Sequence, residues 1–391
     1  MTKKTHKPKV EAEYHRIKEV LVHTPRDEIF LGVLGASNKG INNKNLKSTY
    51  EMPFNTSIAR EQHRGYVAQL ESRGIIVHQI HDLLLQSPNL LELASESLDY
   101  PNGRNKLKYK NEVLHTLSKE DLVNIVLNRP SIDTARKNIE EYKLRPLTDL
   151  MFTRDQMIVT KKGVVLGNMY FNNRRPEVLV VKYALKELGI EPIFEVKDIG
   201  KKRATLEGGD FFAMGEYVLI GSGMRTNNAA IDQLLEADVF GVSEVAVVQD
   251  MIKKQDEMHL DTYFNVLGKN AVLLQDQRFS SGNPKRIPKI LLYEKHGGNF
   301  KLSNKNINFE EYLRSKGLNI LPITKSQQLQ YACNSLCIQN NIIFMPDRAG
   351  FEHKRLLRLE GINFDEVRLS ELTKAYGGPH CTTQVLIRED E

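Results

Sequence analysis

The sequence predicts a mixed helix-and-strand protein, of the α/β or α+β class, carrying one helical insertion. Two observations lead there. Hairpin–helix–strand units recur along most of the chain, a pattern that suits loops gathered at one end of a rigid scaffold. The stretch 82–145 breaks that pattern, with apolar residues at spacings of three and four and no strand-like run.

In chain order, residues 1–13 read as a flexible basic arm. IKEVLVHTP (17–25) reads as a strand running into a turn. Residues 34–56 are rich in Asn, Gly, Lys and Ser, and so form a long loop of the lid or binding kind. SIAREQHRGYVAQLESRG (57–74) has helical spacing and a glycine stop, and GIIVHQI (74–80) is a β-branched strand. Across 82–145 three helices are expected, with Ser118/Asp121 and Ser131/Asp133 as their starts. MIVTKKGVVLG (157–167) is a hairpin turning near Gly163, and RRPEVLVVKYALKELGI (174–190) is an amphipathic helix ending at Gly189. DFFAMGEYVLIGSG (210–223) is a second hairpin, TNNAAIDQLLEAD (226–238) a helix and VSEVAVVQD (242–250) a strand. AVLLQD, KILLYEK and LNILPIT are short strands; SLCIQNNIIFMPD (335–347) is a hairpin, with a helix at 350–360. Residues 14–81 and 146–391 thus form the main domain, and 82–145 the insertion.

The chain has 391 residues, 40% of them hydrophobic, which is ample for a large core. Its net charge of +6 is scattered, and no basic run is interleaved with aromatics, so no nucleic-acid partner is expected. No apolar window is long enough for a membrane span, and no apolar segment marks a signal peptide. Three cysteines are too few for a disulfide framework. Cys333 and Cys337 lack the second pair or nearby histidine a zinc site needs, and read as small apolar residues. A reducing cytoplasm fits this cysteine usage.

Five clusters could carry chemistry: MFTRDQ (151–156), LEGGDFF (206–212), SGMRTN (222–227), EMHLDTYF (257–264) and GGPHCTTQ (377–384). Each sits where a strand gives way to a loop. Singly each has a plain structural reading. Asp155 suits a turn or cap, Gly208–Gly209 a tight turn, His259 and Asp261 a surface pair, Cys381 a core position. Together they suit attack on a guanidinium carbon. Carboxylates hold that planar cation by charge-assisted hydrogen bonds. A thiolate supplies the nucleophile, and a histidine protonates the departing amine and then activates water.

The ordered motifs FTRD, LEGGD, MHLDT and GGxHCxT resemble those of the guanidino-group modifying superfamily. The surrounding text is most similar to arginine deiminase: VLVHTPRDEI, LTDLMFTRD, NMYFNNRRPE and LIGSGMRTNNAAIDQL each resemble that family's segments, and the resemblance spans residues 15–390. It implies a five-fold pseudosymmetric α/β propeller of ββαβ modules, with a helical-bundle insertion at 82–145. It implies Cys381 as nucleophile and His259 as general acid/base. Asp155 and Asp261 would hold the guanidinium nitrogens, and Glu207 would bind the guanidinium and steady His259. Arg174 and Arg225 would take the substrate's α-carboxylate, with Asp149 at the amino-acid end and Asp210 in a supporting turn. The implied reaction is hydrolysis of arginine to citrulline and ammonia through a thiouronium intermediate, with no metal or organic cofactor needed. An arginine dihydrolase, an amidinotransferase and a non-catalytic arginine-binding homologue are the alternatives, and a homo-oligomer is left open. The sequence departs from the pattern at Asp149, where deiminases carry asparagine, at Tyr376, where they carry arginine, and at Thr382, where methionine is common. Loop 34–56 reads YEMPFNTS in place of an acidic segment.

Overall fold

The computed structural model describes residues 7–29, 31, 54–99, 112–133 and 141–390. Among them six sheets form, and five share one plan: an antiparallel strand pair, a hairpin in four of them, whose second strand pairs in parallel with a strand reached through a helix. In the first, β5 (Met157–Val159) and β6 (Val164–Leu166) form the hairpin, α5 (Arg175–Glu187) crosses over, and β7 (Phe194–Glu195) lies parallel to β6. The second runs β8 (Phe211–Ala213), β9 (Tyr217–Ser222), α6 (Asn228–Glu236), β10 (Glu244–Gln249). The third runs β11 (Phe264–Gly268), β12 (Ala271–Gln275), α7 (Phe309–Ser315), β15 (Asn319–Ile323). The fourth runs β16 (Leu336–Gln339), β17 (Ile342–Pro346), α8 (Phe351–Leu359), β18 (Asn363–Val367). The fifth joins distant parts of the chain: β19 (Gln384–Glu389) pairs with β1 (Arg16–Val22), and α1 (Thr56–Ser72) leads to β2 (Ile76–Gln79), parallel to β1.

Local chemistry explains the plan. Each hairpin is a tight reversal; the one between β8 and β9 uses Gly215 at φ 86°, a left-handed conformation that glycine adopts without strain. Parallel neighbours cannot be joined by a hairpin, so each third strand follows a helix. Those helices are amphipathic: α5 buries Val180, Val181, Ala184 and Leu185. Asn227 caps α6 by accepting the N–H of Ala230.

Two additions extend the plan. The hairpin β13 (Lys289–His296) and β14 (Asn299–Asn308) widens the second sheet beyond β10. β14 was not expected, because NFKLSNKNIN is mostly polar and exposed over most of its length. The helical insertion holds α2 (Ile80–Gln86), α3 (Leu90–Ser97) and α4 (Lys119–Asn128). Their apolar residues join the same core cluster as those of β1, β5 and β6, so the insertion has no separate core. α4 starts with the expected capping box of Ser118 and Asp121.

Three expectations need correction. Where a third helix of the insertion was expected, the described residues are strands: Ser131–Asp133 (β3) and Glu141–Lys143 (β4) pair antiparallel, and residues 134–140 lie outside the described residues. α4 ends at Arg129 in a left-handed turn, Pro130 cannot continue a helix, and Ser131 bridges to Asp99. The flexible arm does not extend over residues 9–13. Lys9 bridges Ile387, Ala12 bridges Met214, and Val10, Ala12 and Glu13 are buried. Glu13 is fixed there by ion pairs to Arg154 (3.2 Å) and Arg388 (2.9 Å). Of loop 34–56, residues 34–53 lie outside the described residues, whereas Asn55 is the N-cap of α1 rather than loop interior. Among the described residues no helix is long and apolar enough to cross a membrane.

Candidate active site

The five sheet units deliver the expected site residues to one place. Asp155, Asp210, Asp261 and Cys381 each lie one to three residues before the first strand of a unit, namely β5, β8, β11 and β19. The entering loops are sewn together by backbone bonds. Arg154 N–H donates to Cys381 O (3.2 Å), and Gly208 N–H donates to Asp155 O (3.0 Å). Asp210 accepts the N–H of Leu260 (2.9 Å), tying the LEGGD turn to the MHLDT turn. Arg174 and Arg225 come from a second set of loops, those leading from β6 into α5 and from β9 into α6.

Close approach decides the glycine pair. A Cβ on Gly209 would lie 2.7 Å from His259 Nδ1 and 3.1 Å from Asp261 Oδ1. Neither Gly208 nor Gly209 has a positive φ, so the pair serves proximity rather than a glycine-only turn.

Cys381, His259, Asp155, Arg174, Arg225 and Asp149 line one small cavity, together with Phe152, Phe171, Gln255, Met258, Ala375 and Tyr376. Glu207 and Asp261 are not among the lining residues; each is bonded to one that is. None of these eight predicted residues is more than 6% exposed.

His259 Nε2 bonds Glu207 Oε2 at 2.8 Å, and its Nδ1 lies 3.9 Å from Asp155 Oδ1. Burial alone would lower its pKa. The charge of Asp155, the bond to Glu207 and the charges of Asp210 and Glu207 outweigh burial and raise it to about 9. The imidazole is therefore charged at neutral pH. Burial would likewise raise Glu207, but the Arg225 charge and the His259 bond hold it far below the usual carboxylate range.

Arg174 is held by four carboxylates: Asp155 at 2.8 Å, Glu177 at 3.0 Å, Asp149 at 3.7 Å and Glu207 at 3.8 Å. Burial pushes Asp155 up, while the carboxylates keep Arg174 firmly protonated. A guanidinium 2.8 Å away that does not give up its proton keeps this pair ionised. Arg225 lies over the Phe171 ring at 4.4 Å, donates to Gln255 Oε1 (3.3 Å) and stands 3.6 Å from Glu207.

Cys381 Sγ sits 3.4 Å from Asp261 Oδ2 and 3.0 Å from Asn334 Nδ2. Burial, then the charges of Asp261 and Asp155, push the thiol well above its ordinary value, so it rests protonated. Asp261 Oδ2 also meets His380 Nδ1 at 2.8 Å, and Arg154 contacts His380 Nε2. A guanidinium can only donate, so Nε2 is the acceptor and Nδ1 carries the proton toward Asp261. Burial and Arg154 keep this imidazole neutral. The 380 ring stacks on Phe212 at 5.3 Å between centroids.

Asp155, Glu207 and His259 offer ligand atoms within 4.8 Å of one another, the spacing of a metal set. Two guanidinium groups within 4 Å of these carboxylates and a charged imidazole make it a poor home for a divalent cation. A feature of another kind marks the site: Asp155 Oδ1 and Asp261 Oδ1 are buried and have no hydrogen-bond partner among the described residues.

Sequence reasoning passed over Arg154, Glu177, Asn334, Glu13 and the pairing of His380. His380 and Arg154 had one signal, adjacency to Cys381 and to Asp155. Asn334, in YACNSLC, offered only a polar residue among apolar ones.

Comparison with known proteins identifies the family. The sequence model of the arginine deiminase family matches residues 48–388. The arginine deiminase of Staphylococcus epidermidis is 25% identical over 97% of this chain and 98% of its own length. That of Limosilactobacillus reuteri is also 25% identical, over 97% and 98%. Among solved structures, an amidinotransferase from Microseira wollei is 14% identical and covers 98% of both chains with a TM-score of 0.59, a likeness of fold. With most of its length matched by that family's sequence model, the chain belongs to the arginine deiminase family.

Proposed function

We infer that this protein hydrolyses the guanidinium group of arginine, giving citrulline and ammonia through a covalent intermediate on Cys381. The observation that carries the reading is the pairing of Cys381 and His259 on one cavity beside two unpartnered carboxylate oxygens. Acceptors left open in a buried site suit a flat cation with several N–H groups. Family membership supplies the substrate class.

Each residue then has a task. Asp155 and Asp261 hold the guanidinium, and its charge offsets the two carboxylates that keep the thiol protonated. The thiolate forms with the substrate in place, its proton passing to solvent. Sγ adds to the guanidinium carbon, and His259, charged at rest, protonates a departing nitrogen. Ammonia leaves a thiouronium on Cys381. The neutral imidazole then takes a proton from water as the oxygen adds to carbon. Collapse expels the sulfur and releases the ureido product. Glu207 fixes the His259 ring, Arg174 and Arg225 receive the α-carboxylate, and Asp149 stands at the amino-acid end.

We read the five sheet units as blades of a five-fold pseudosymmetric propeller. Their common strand order supports this, as does the β19–β1 pairing that brings the last strand back to the first. Three free thiols suit a reducing cytoplasm.

The test is incubation with arginine while citrulline, ammonia and ornithine are all quantified, beside Cys381→Ala. Citrulline and ammonia in equal amounts, with no turnover by the variant, are expected. Ornithine as the main product would replace the reading with a dihydrolase, and no product at all would leave a binding protein.

A further inference from the structure

Four of the five sheet units place a carboxylate or the thiol just ahead of their first strand. The remaining unit, β16–β17–β18, places Asn334 there, two residues before Leu336. Asn334 is 1% exposed, and its carboxamide is fully used. Oδ1 accepts the backbone N–H groups of Gly378 (2.8 Å) and Cys381 (3.1 Å). Nδ2 points to Cys381 Sγ (3.0 Å) and to the carbonyl of Asp261 (3.4 Å). Two backbone donors on Oδ1 settle which end of the amide is which, so an N–H must face the sulfur.

The surroundings hold that orientation. Asn334 O accepts the N–H of His380 (3.2 Å). Asn265 Nδ2 bonds the carbonyls on either side, those of Cys333 and Ser335. A Cβ on Gly378 would come within 3.0 Å of Asn334 O and Oδ1, so this approach needs a glycine.

We propose that Asn334 is a positioning donor for the nucleophile, aiming the Cys381 sulfur and stabilising its thiolate. The proposal rests on the reading of Cys381 as the attacking group. Among the described residues Asn334 is the one donor bonded to Sγ. The other polar neighbour, Asp261 Oδ2, is an acceptor that takes the thiol hydrogen at rest and repels the thiolate. An amide N–H bonded to sulfur strengthens as the sulfur gains charge. Burial and the charges of Asp261 and Asp155 oppose ionisation of the thiol, and the Asn334 bond acts the other way.

Asn334→Asp tests this in the full chain. A carboxylate there can still accept the Gly378 and Cys381 N–H groups but offers the sulfur no donor. The readout is the rate of Cys381 alkylation by iodoacetamide against pH, scored on the Cys381 peptide, together with kcat and KM for arginine. The expected result is an alkylation profile moved up by about one pH unit or more, and kcat reduced at least ~30-fold with KM within about threefold. Asn334→Ala, which adds no charge, should shift the profile in the same direction by less. A folded variant with the wild-type alkylation profile overturns the proposal, whatever its melting temperature. Failure of both variants to fold also overturns it, making Asn334 a clamp alone. Alkylation does not depend on turnover, so a wild type that makes no citrulline would sink the functional reading and leave this one separately decided.

Discussion

At the scale of single residues, the site depends on distances that a methyl group would spoil. Gly209→Ala places a carbon 2.7 Å from His259 Nδ1. Displacing that ring by about 1 Å should lower kcat by ~10²-fold, measured as initial rates on arginine, with KM little changed. His259 also sets a pH limit. Its pKa is raised to about 9 from 6.5, so the proton needed for the departing amine is present below that pH and lost above it. The rate should therefore fall as pH rises through about 9, and Glu207→Gln, which removes one of the raising charges, should bring the fall to lower pH. The tautomer of His380 shows what local sequence hides. It follows from a contact to Arg154, 226 positions away, and no local pattern encodes it.

At the scale of elements, legibility followed periodicity and punctuation. The hairpins at 157–167 and 210–223 and the helices at 57–74 and 174–190 were readable, because alternation, amphipathic spacing and glycine stops agreed. The motifs were readable because each is short and lies at a strand entry. Residues 131–143 were not, since helical spacing in SIDTARKNIEEYKL gave no weight to Pro130 or to the bridge with Asp99. β14 escaped because a polar strand has no buried face to print an alternation. Asn334 escaped because an amide on a strand-entry loop looks like any turn residue. Caps give a clean test here. Ser118→Ala removes one half of the capping box of α4 and should lower stability by about 1 kcal/mol by denaturant titration, with turnover unchanged.

At the scale of the whole molecule, buried charge links the start of the chain to its end. Glu13 lies between Arg154 and Arg388; burial would raise its pKa, but these two guanidiniums lower it to about 2 from 4.5. A folded-state value below the unfolded one gives stability that is present above pH 4.5 and lost as pH falls toward 2. Glu13→Gln should flatten that part of the melting-temperature curve, and at neutral pH should cost about 3–5 kcal/mol by leaving two guanidiniums without their counter-ion. The β19–β1 pairing sets an order in time. Cys381 lies just before β19, and β19 leaves the ribosome after every other described strand. A nascent chain can thus complete most of its described sheets while still lacking the Cys381 sulfur. The cavity gains its sulfur only when β19 docks antiparallel beside β1, so closing that one pair is what joins Cys381 to the groups assembled by the other sheets.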